Sequence, residues 1–250
     1  MKITVAENRI DFERVAAARI AGAICSKPGS VVGLSTGRTT GGIHREVCEM
    51  RSRCDFDLSQ VTFFGVDEVT GVSREYSGAC YTMLKTEIVD PLGIPDERFL
   101  MLPTESEDFA ADCAAFTAEL ARRGGIDLLM LGLGENGHLG FNQPGADLDG
   151  TACTASMDER LEERIRRETN SPADKALGGV TLGLRDMMHA RRIVLVANGA
   201  NKREIVKALF DSPISSELPA SVLKLHPDCE FILDSDAAAG IDVERLRKLF

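Results

Sequence analysis

Ile126-Asp127-Leu128-Leu129-Met130-Leu131-Gly132-Leu133-Gly134-Glu135-Asn136-Gly137-His138-Leu139-Gly140-Phe141-Asn142-Gln143-Pro144-Gly145 is the stretch that decides the fold. It begins with a short apolar run, typical of a strand whose two faces are both buried in a parallel sheet. Four glycines within the nine residues from Gly132 to Gly140 then predict a contorted loop at the end of this strand. Backbone amides and the imidazole of His138 are expected to lie in that loop.

Similar apolar runs and helical patterns alternate along the rest of the chain. Further strands are predicted at Val31–Leu34, Val61–Phe64, Ile193–Val196 and Glu230–Leu233, and helices at Asp11–Cys25, Glu107–Arg123 and Lys202–Phe210. This alternation predicts an α/β fold with right-handed crossovers, a Rossmann-like, doubly wound and mostly parallel sheet flanked by helices. Because no repeat or linker interrupts the pattern, we expect one domain over residues 1–250.

Composition excludes several classes of protein. The 250 residues carry a net charge of −10, with no long basic run, no Trp and only two Tyr, so a nucleic-acid partner is not expected. No apolar run reaches the roughly 18 residues that a membrane helix requires, so no membrane partner is expected. Seven cysteines without a CxxC pair are interpreted as small core residues of a reducing compartment. The strand-like amino terminus differs from a signal peptide, which favours a cytoplasmic location.

The loop after Val31–Leu34 has the composition of an anion-binding turn. It reads Ser35-Thr36-Gly37-Arg38-Thr39-Thr40-Gly41-Gly42 and precedes a helix, whose positive end would face an anion. Hydroxyls and Arg38 could add donors, although a simple turn with a helix cap explains the same residues. The loop matches neither a Walker A motif nor a dinucleotide fingerprint, so nucleotide binding has no support.

Two more loops carry chemically active groups. Asp67 and Glu68 follow a strand; they are either solvated charges or a carboxylate pair, one of which acts as a base in a partly closed pocket. His138, which has glycines close by on either side, is more typical of a functional histidine than of a packed one, since a core histidine would not need that backbone freedom. Ligands of such sheets bind beyond the carboxyl ends of the strands, where all three loops are expected.

At these residues the chain resembles the glucosamine-6-phosphate deaminase (isomerase) family, and its galactosamine-6-phosphate isomerase branch more closely. The resemblance extends over nearly the whole chain. It depends on the order and spacing of short motifs: Leu34-Ser35-Thr36-Gly37, Phe64-Gly65-Val66-Asp67-Glu68, Gly132 to Pro144, Gly179 to Leu184, Gly199-Ala200-Asn201-Lys202 and Leu218-Pro219-Ala220-Ser221. The 6-phosphogluconolactonases share this superfamily, but Phe141-Asn142-Gln143-Pro144 resembles the deaminase segment Phe-Asn-Glu-Pro instead.

The resemblance implies roles for individual residues. The base that moves the C2 proton falls on Asp67, with Glu68 beside it, and the ring-opening histidine falls on His138. The phosphate-binding positions fall on Ser35, Thr36, Gly37, Arg38, Thr39 and Lys202. A further phosphate-binding Arg falls near Arg164 or Arg166, because a length difference leaves that alignment open. The family's reaction needs no cofactor and no metal, and a sugar phosphate is the expected partner; the sequence leaves open whether the chain forms a homo-oligomer.

Two positions depart from the family pattern. Asn136 stands where the family usually has Asp, a change associated with the galactosamine branch, and Gln143 stands where it has the Glu that supports the histidine. Since nearby carboxylates favour the imidazolium, His138 is expected to hold its proton less readily. Two alternatives therefore stay open: a lactonase that hydrolyses its substrate with water activated by His138, and a sugar-phosphate-binding protein that has lost turnover.

Overall fold

A computed structural model describes residues 1–249 of the chain. Its strands are β1 (Lys2–Ala6), β2 (Val31–Leu34), β3 (Thr62–Gly65), β4 (Asp67–Thr70), β5 (Phe99–Leu100), β6 (Leu128–Gly132), β7 (Cys153–Ala155), β8 (Gly178–Thr181), β9 (Ile193–Ala197) and β10 (Cys229–Asp234). Seven of them form one sheet in the order β1-β10-β9-β6-β2-β3-β5, and every neighbouring pair in it is parallel. The predicted α/β class and parallel central sheet are confirmed.

Helices connect the strands, as the apolar patterns predicted. They are α1 (Arg9–Ser26), α2 (Thr40–Arg53), α3 (Cys80–Leu84), α4 (Phe109–Arg122), α5 (Glu159–Thr169), α6 (Leu184–Met188), α7 (Arg203–Asp211), α8 (Ser235–Ala238) and α9 (Val243–Leu249). A π-helical turn, Lys85–Val89, continues α3, and a 3₁₀ helix, Pro219–Leu225, precedes β10. Among residues 1–249, no helix is long and apolar enough to cross a membrane.

The central sheet is covered on both faces. Leu128 and Met130 of β6 pack in the same core as α1 and α2, whereas Leu129 and Leu131 pack in the core that holds α4 and α7. Neighbouring strands alternate in the same way, because successive side chains of a strand point to opposite faces. This explains why the strands read as continuous apolar runs.

The chain reverses its winding direction between β2 and β6. From β2 the chain proceeds to β3 on one side, and from β6 it proceeds to β9 on the other. The two strands are paired up to Leu34 and Met130, and the N–H of Ser35 donates to the carbonyl of Met130 at 3.1 Å. The loops that follow β2 and β6 therefore start side by side, at the position where doubly wound sheets bind ligands.

A second, antiparallel sheet was not predicted. It has three strands in the order β4-β8-β7, and it packs with α5 over a small core that includes Val69, Phe141 and Ile165. Asp67 of β4 pairs with Thr181 of β8 across 114 positions of sequence. Because such pairing depends on residues far apart in the chain, no local pattern indicates it.

Candidate active site

Asp67 is a half-buried carboxylate at the start of β4. Its Oδ1 lies 3.8 Å from the Sγ of Cys80, and its Oδ2 faces the glycine-rich loop, where a Cβ atom on Gly140 would lie 3.4 Å away. Burial, and secondly the charge of Glu68, raise the pKa of Asp67 to about 7, although the Cys80 thiol opposes this. A carboxylate with this pKa can both accept and return a proton near neutral pH.

Glu68 does not share this position, although it was predicted as a second catalytic carboxylate. Its side chain is fully buried, and its oxygens accept 2.7 Å hydrogen bonds from the backbone N–H groups of Val69, Cys80 and Tyr81. Both oxygens are thus used in holding the start of α3. Glu68 therefore anchors α3 on the face of β4 opposite Asp67, because adjacent residues of a strand point to opposite faces.

Glycine is required at two positions of the loop after β6. At Gly134, a Cβ atom would lie 2.5 Å from the His138 ring; at Gly140, which has a φ of +57°, it would lie 2.5 Å from Thr181 Oγ1. The loop therefore folds closely over both the imidazole and β8. Ala220 donates its N–H to the carbonyl of Gly137 at 3.0 Å, which ties the loop to the helical turn that begins at Pro219.

His138 is half-buried in this loop. Burial is the main cause that lowers its pKa below the ordinary value, and the charge of Lys202 adds to it. Asp158, Gln143 and Glu135 work in the opposite direction. The buried Nδ1 has no hydrogen-bond partner among residues 1–249. A neutral imidazole of this kind can exchange a proton with a sugar ring oxygen.

The two departures from the family pattern contact each other. Asn136 Nδ2 donates to Gln143 Oε1 at 2.9 Å, and Asn136 Oδ1 accepts the N–H of His138 at 3.2 Å. Both amides therefore lie beside His138, as the sequence predicted. With no carboxylate at either position, the imidazolium receives only dipolar support from these two groups, which agrees with its lowered pKa.

The neighbouring Phe141 and Asn142 have structural contacts. Asn142 is 6% exposed, and its Nδ2 donates to the carbonyls of Leu139 and Leu182 at 2.9 and 2.8 Å. Phe141 is buried in the core of the small sheet. These two residues, which carry much of the resemblance, hold the loop in position against β8.

The predicted phosphate loop has a mixed geometry. Ser35 is 7% exposed, and its hydroxyl donates to the carbonyl of Met130 at 3.1 Å, so it joins two strands. Thr36 donates its hydroxyl to the Sγ of Cys80 at 3.1 Å. Gly37 has a φ of +134°, and its carbonyl accepts the first hydrogen bonds of α2, while the Thr39 side chain does not cap that helix. The loop thus leads directly into the start of α2.

Cations converge on Glu135 next to this loop. Glu135 accepts a 2.8 Å hydrogen bond from Asn201, and its Oε1 lies 3.8 Å from the guanidinium of Arg38. The Asn201 hydrogen bond lowers its pKa most, followed by the charge of Lys202, with smaller effects of Arg38 and Arg160. Lys202 also donates to the carbonyl of Leu133 at 2.6 Å. Predicted ligands Arg38 and Lys202 are therefore neighbours in space.

The third cation near Glu135 is Arg160, at the start of α5, which sequence reasoning missed. The guanidinium of Arg166 donates to Glu162 and to the carbonyls of Pro172 and Lys175. The charge of Arg164 acts on the pKa of Tyr76, away from Glu135. Neither predicted candidate joins the cluster. Within residues 1–249, no three His, Cys, Asp or Glu side chains group so that they could hold a metal ion.

The sequence matches one family model from residue 10 to residue 230, that of the glucosamine-6-phosphate isomerases/6-phosphogluconolactonase. The glucosamine-6-phosphate deaminase of Thermoanaerobacter pseudethanolicus is 32% identical over 249 residues, which cover 100% of this chain and 98% of the relative. That of Clostridium perfringens is 34% identical over 238 residues, 95% of this chain and 98% of the relative. These names contain glucosamine, so the resemblance to the galactosamine branch stays a prediction.

Solved structures repeat the same architecture. A monomeric glucosamine-6-phosphate deaminase superposes with a TM-score of 0.90 at 26% identity and covers 96% of this chain and 100% of its own. The 6-phosphogluconolactonase of Trypanosoma cruzi superposes with a TM-score of 0.74 at 20% identity, covering 96% of each chain. At that identity the second likeness establishes the fold alone.

Proposed function

This chain belongs to the glucosamine-6-phosphate isomerase/6-phosphogluconolactonase family, and we propose that within it the protein is a hexosamine-6-phosphate deaminase. It converts an amino-sugar 6-phosphate and water to the keto-hexose 6-phosphate and ammonia. The observation that carries the proposal is Asp67, a carboxylate with a pKa of about 7 that faces the loop of His138. Full-length relatives named as deaminases at 32% and 34% identity support the same activity.

The proposed reaction assigns a proton transfer to each group. His138 accepts the proton of the C1 hydroxyl and delivers it to the ring oxygen as the hemiacetal opens, which exposes the C1 aldehyde. Asp67 then removes the C2 proton, whose acidity comes from the adjacent carbonyl, and returns it to C1. Water adds to the resulting C2 imine, and ammonia leaves. A positioned carboxylate with a pKa near the working pH suits both of the transfers on carbon.

The phosphate is proposed to bind where Arg38, Lys202 and Arg160 surround Glu135. A dianion there would gain from three cations and from the start of α2. Binding energy from this remote group fixes the reacting carbons against Asp67, which converts affinity into rate. Glu135 competes with the phosphate for the same cations, so it is expected to turn away when substrate binds.

Glucosamine 6-phosphate is the proposed preferred substrate, since both relatives described above are named glucosamine-6-phosphate deaminase. Galactosamine 6-phosphate should be tested as well, because Asn136 and Gln143 change the surroundings of His138, the proposed ring-opening residue. The decisive experiment incubates the protein with each hexosamine 6-phosphate and measures ammonia and keto-hexose 6-phosphate. Hydrolysis of 6-phosphogluconolactone without ammonia release would replace the proposal with a lactonase, and binding of both sugars without product would replace it with a binding protein.

A further inference from the structure

The thiol of Cys80 lies between the phosphate loop and the proposed base. Its Sγ accepts a hydrogen bond from Thr36 Oγ1 at 3.1 Å and donates to Asp67 Oδ1 at 3.8 Å. Cys80 is 6% exposed, and its backbone N–H donates a 2.7 Å hydrogen bond to Oε1 of Glu68. A thiol has a single proton, so these contacts run in one direction, from Thr36 through Cys80 to Asp67.

The thiol acts as a donor rather than as a nucleophile. Burial, and then the charges of Asp67 and Glu68, raise the pKa of Cys80 well above its ordinary value. The sulfur therefore keeps its proton while Asp67 is ionised. Cys80 is also held at the first position of α3 by a carboxylate anchor, so its distance from Asp67 is maintained by the fold.

We propose that Cys80 is a positioning residue for the isomerisation, one that holds Asp67 Oδ1 and links it to the phosphate loop through Thr36. The inference rests on the proposed function. Oδ1 is engaged by the thiol, which leaves Oδ2, on the side of Gly140, to take the substrate proton. When the Thr36 hydroxyl turns to a bound phosphate, the thiol loses its donor, so occupancy of the phosphate site is transmitted to the base.

The contact makes a directional prediction about Asp67. A donor to the charged form lowers a carboxyl pKa, so removal of the thiol must raise the pKa of Asp67. The other groups close to Asp67 are Thr181 on β8, Gly140 of the loop, and Glu68, which points to the other face of β4 but whose charge acts on Asp67. Of these only Glu68 is charged, and it stays in place in a variant of Cys80.

The test compares Cys80→Ala and Cys80→Ser with wild type, and uses Cys113→Ala, a buried cysteine of α4, as the matched control. In Cys80→Ala the acid limb of the kcat profile should move to higher pH by about half a unit, the value of a weak hydrogen bond. Cys80→Ser retains a donor and an acceptor and should recover part of the shift. The control should keep the wild-type profile.

A second measurement does not depend on turnover. Aspartate labelled with ¹³C at the carboxyl carbon reports the titration of Asp67 directly, with the signal assigned by its loss in Asp67→Asn. The Asp67 pKa should rise in Cys80→Ala; Thr36→Val should raise it less, and not further in the Cys80→Ala background. An Asp67 pKa equal in wild type and Cys80→Ala, or a lower kcat with an unchanged pH profile, would overturn the inference.

The two proposals fail in different ways. If wild-type protein releases no ammonia from either hexosamine 6-phosphate, the proposed function is wrong, whatever the thiol does. If wild type is active and the ¹³C titration gives the same Asp67 pKa in wild type and Cys80→Ala, the positioning role is wrong and the deaminase proposal stands.

Discussion

Asp67 combines a chemical requirement with a cost to stability. Its folded pKa of about 7 lies above the ordinary value of 3.8, so the folded protein binds its proton more tightly than the unfolded chain does. Stability from this group is present at low pH and is lost as pH rises toward about 7. Above that pH, the buried charge destabilises the fold in exchange for a base that works near neutrality.

Asp67→Asn should therefore be inactive and more stable. We expect kcat to fall by more than tenfold, over about 1.4 kcal/mol in the barrier, because the amide cannot accept the C2 proton. The melting temperature should rise relative to wild type, and by more at pH 8 than at pH 5. A variant that retains more than about a tenth of the wild-type kcat would contradict the assignment of Asp67 as the base. Asp55→Asn, which changes an exposed aspartate, is the control and should keep the wild-type kcat.

Gln143 controls the charge around His138. Gln143→Glu places a carboxylate of nearly the same shape beside the imidazole, so the pKa of His138 should rise from its lowered value. The rate limb that this group controls should then move to higher pH. The pH profiles of kcat with each epimer give the measurement, and identical profiles and rates in the two proteins would show that the residues do not communicate.

At the scale of single elements, α5 brings only its first turn to the site. The charge of Arg160 lowers the pKa of Glu135, whereas that of Arg164, one turn further along, acts on the pKa of Tyr76. Arg160→Gln should raise KM several-fold with a smaller change in kcat, as expected for a contact made in ground and transition states alike. Arg164→Gln, an exposed neighbour on the same helix, should leave KM unchanged. Equal effects of the two substitutions would remove Arg160 from the phosphate site.

The short helix α3 depends on the carboxylate that precedes it in the chain. Glu68→Gln replaces one acceptor oxygen by an amide nitrogen, which cannot accept the backbone N–H of Cys80 or of Tyr81, whichever it faces. We expect a loss of about 1–3 kcal/mol in the free energy of unfolding, measured by urea titration. Glu163→Gln, exposed on α5, is the control. An unchanged unfolding midpoint would show that the buried anchor adds nothing to stability.

Across the whole molecule, Glu230 joins distant parts of the chain. It is 1% exposed on β10, and it accepts hydrogen bonds from Thr4, Arg19 and Arg192. Burial acts to raise its pKa, but the hydrogen bonds from Arg19 and Thr4 and the charges of Arg19 and Lys2 outweigh it and lower the pKa to about 2. The carboxylate thereby connects β1, α1 and the strand pair β9–β10.

Glu230→Gln should destabilise the whole fold. The cations lose their charged partner but keep contact with water, since the side chain of Arg19 is 25% exposed and that of Arg192 35%, so we expect a cost of about 1–3 kcal/mol. The folded pKa is depressed, so this stability is present above the unfolded value of 4.5 and is lost as pH falls toward about 2. Urea titrations at pH 7 and pH 3 should show a larger difference from wild type at pH 7. Glu217→Gln, on the surface, is the control, and a difference independent of pH would contradict the assignment.

The sequence by itself determined five strands of the central sheet (β2, β3, β6, β9 and β10), their parallel arrangement and the three loops at the carboxyl edge. Apolar runs and glycine clusters are local, and parallel topology then brings the ends of β2, β3 and β6 together. Asp67, His138 and Lys202 became candidate site residues in this way, or by their likeness to a family.

Only the tertiary structure decided which neighbours these groups have. Glu68 points away from Asp67 because the two are adjacent in β4, which leaves the central sheet and pairs with β8. Cys80 resembled any other small core residue in the sequence, yet the anchored start of α3 inserts it between Thr36 and Asp67. Arg160, at the start of α5, lies near Glu135 in the loop after β6. Each of these contacts joins residues of different elements, and their energies depend on burial and distance, which no local pattern of residues encodes.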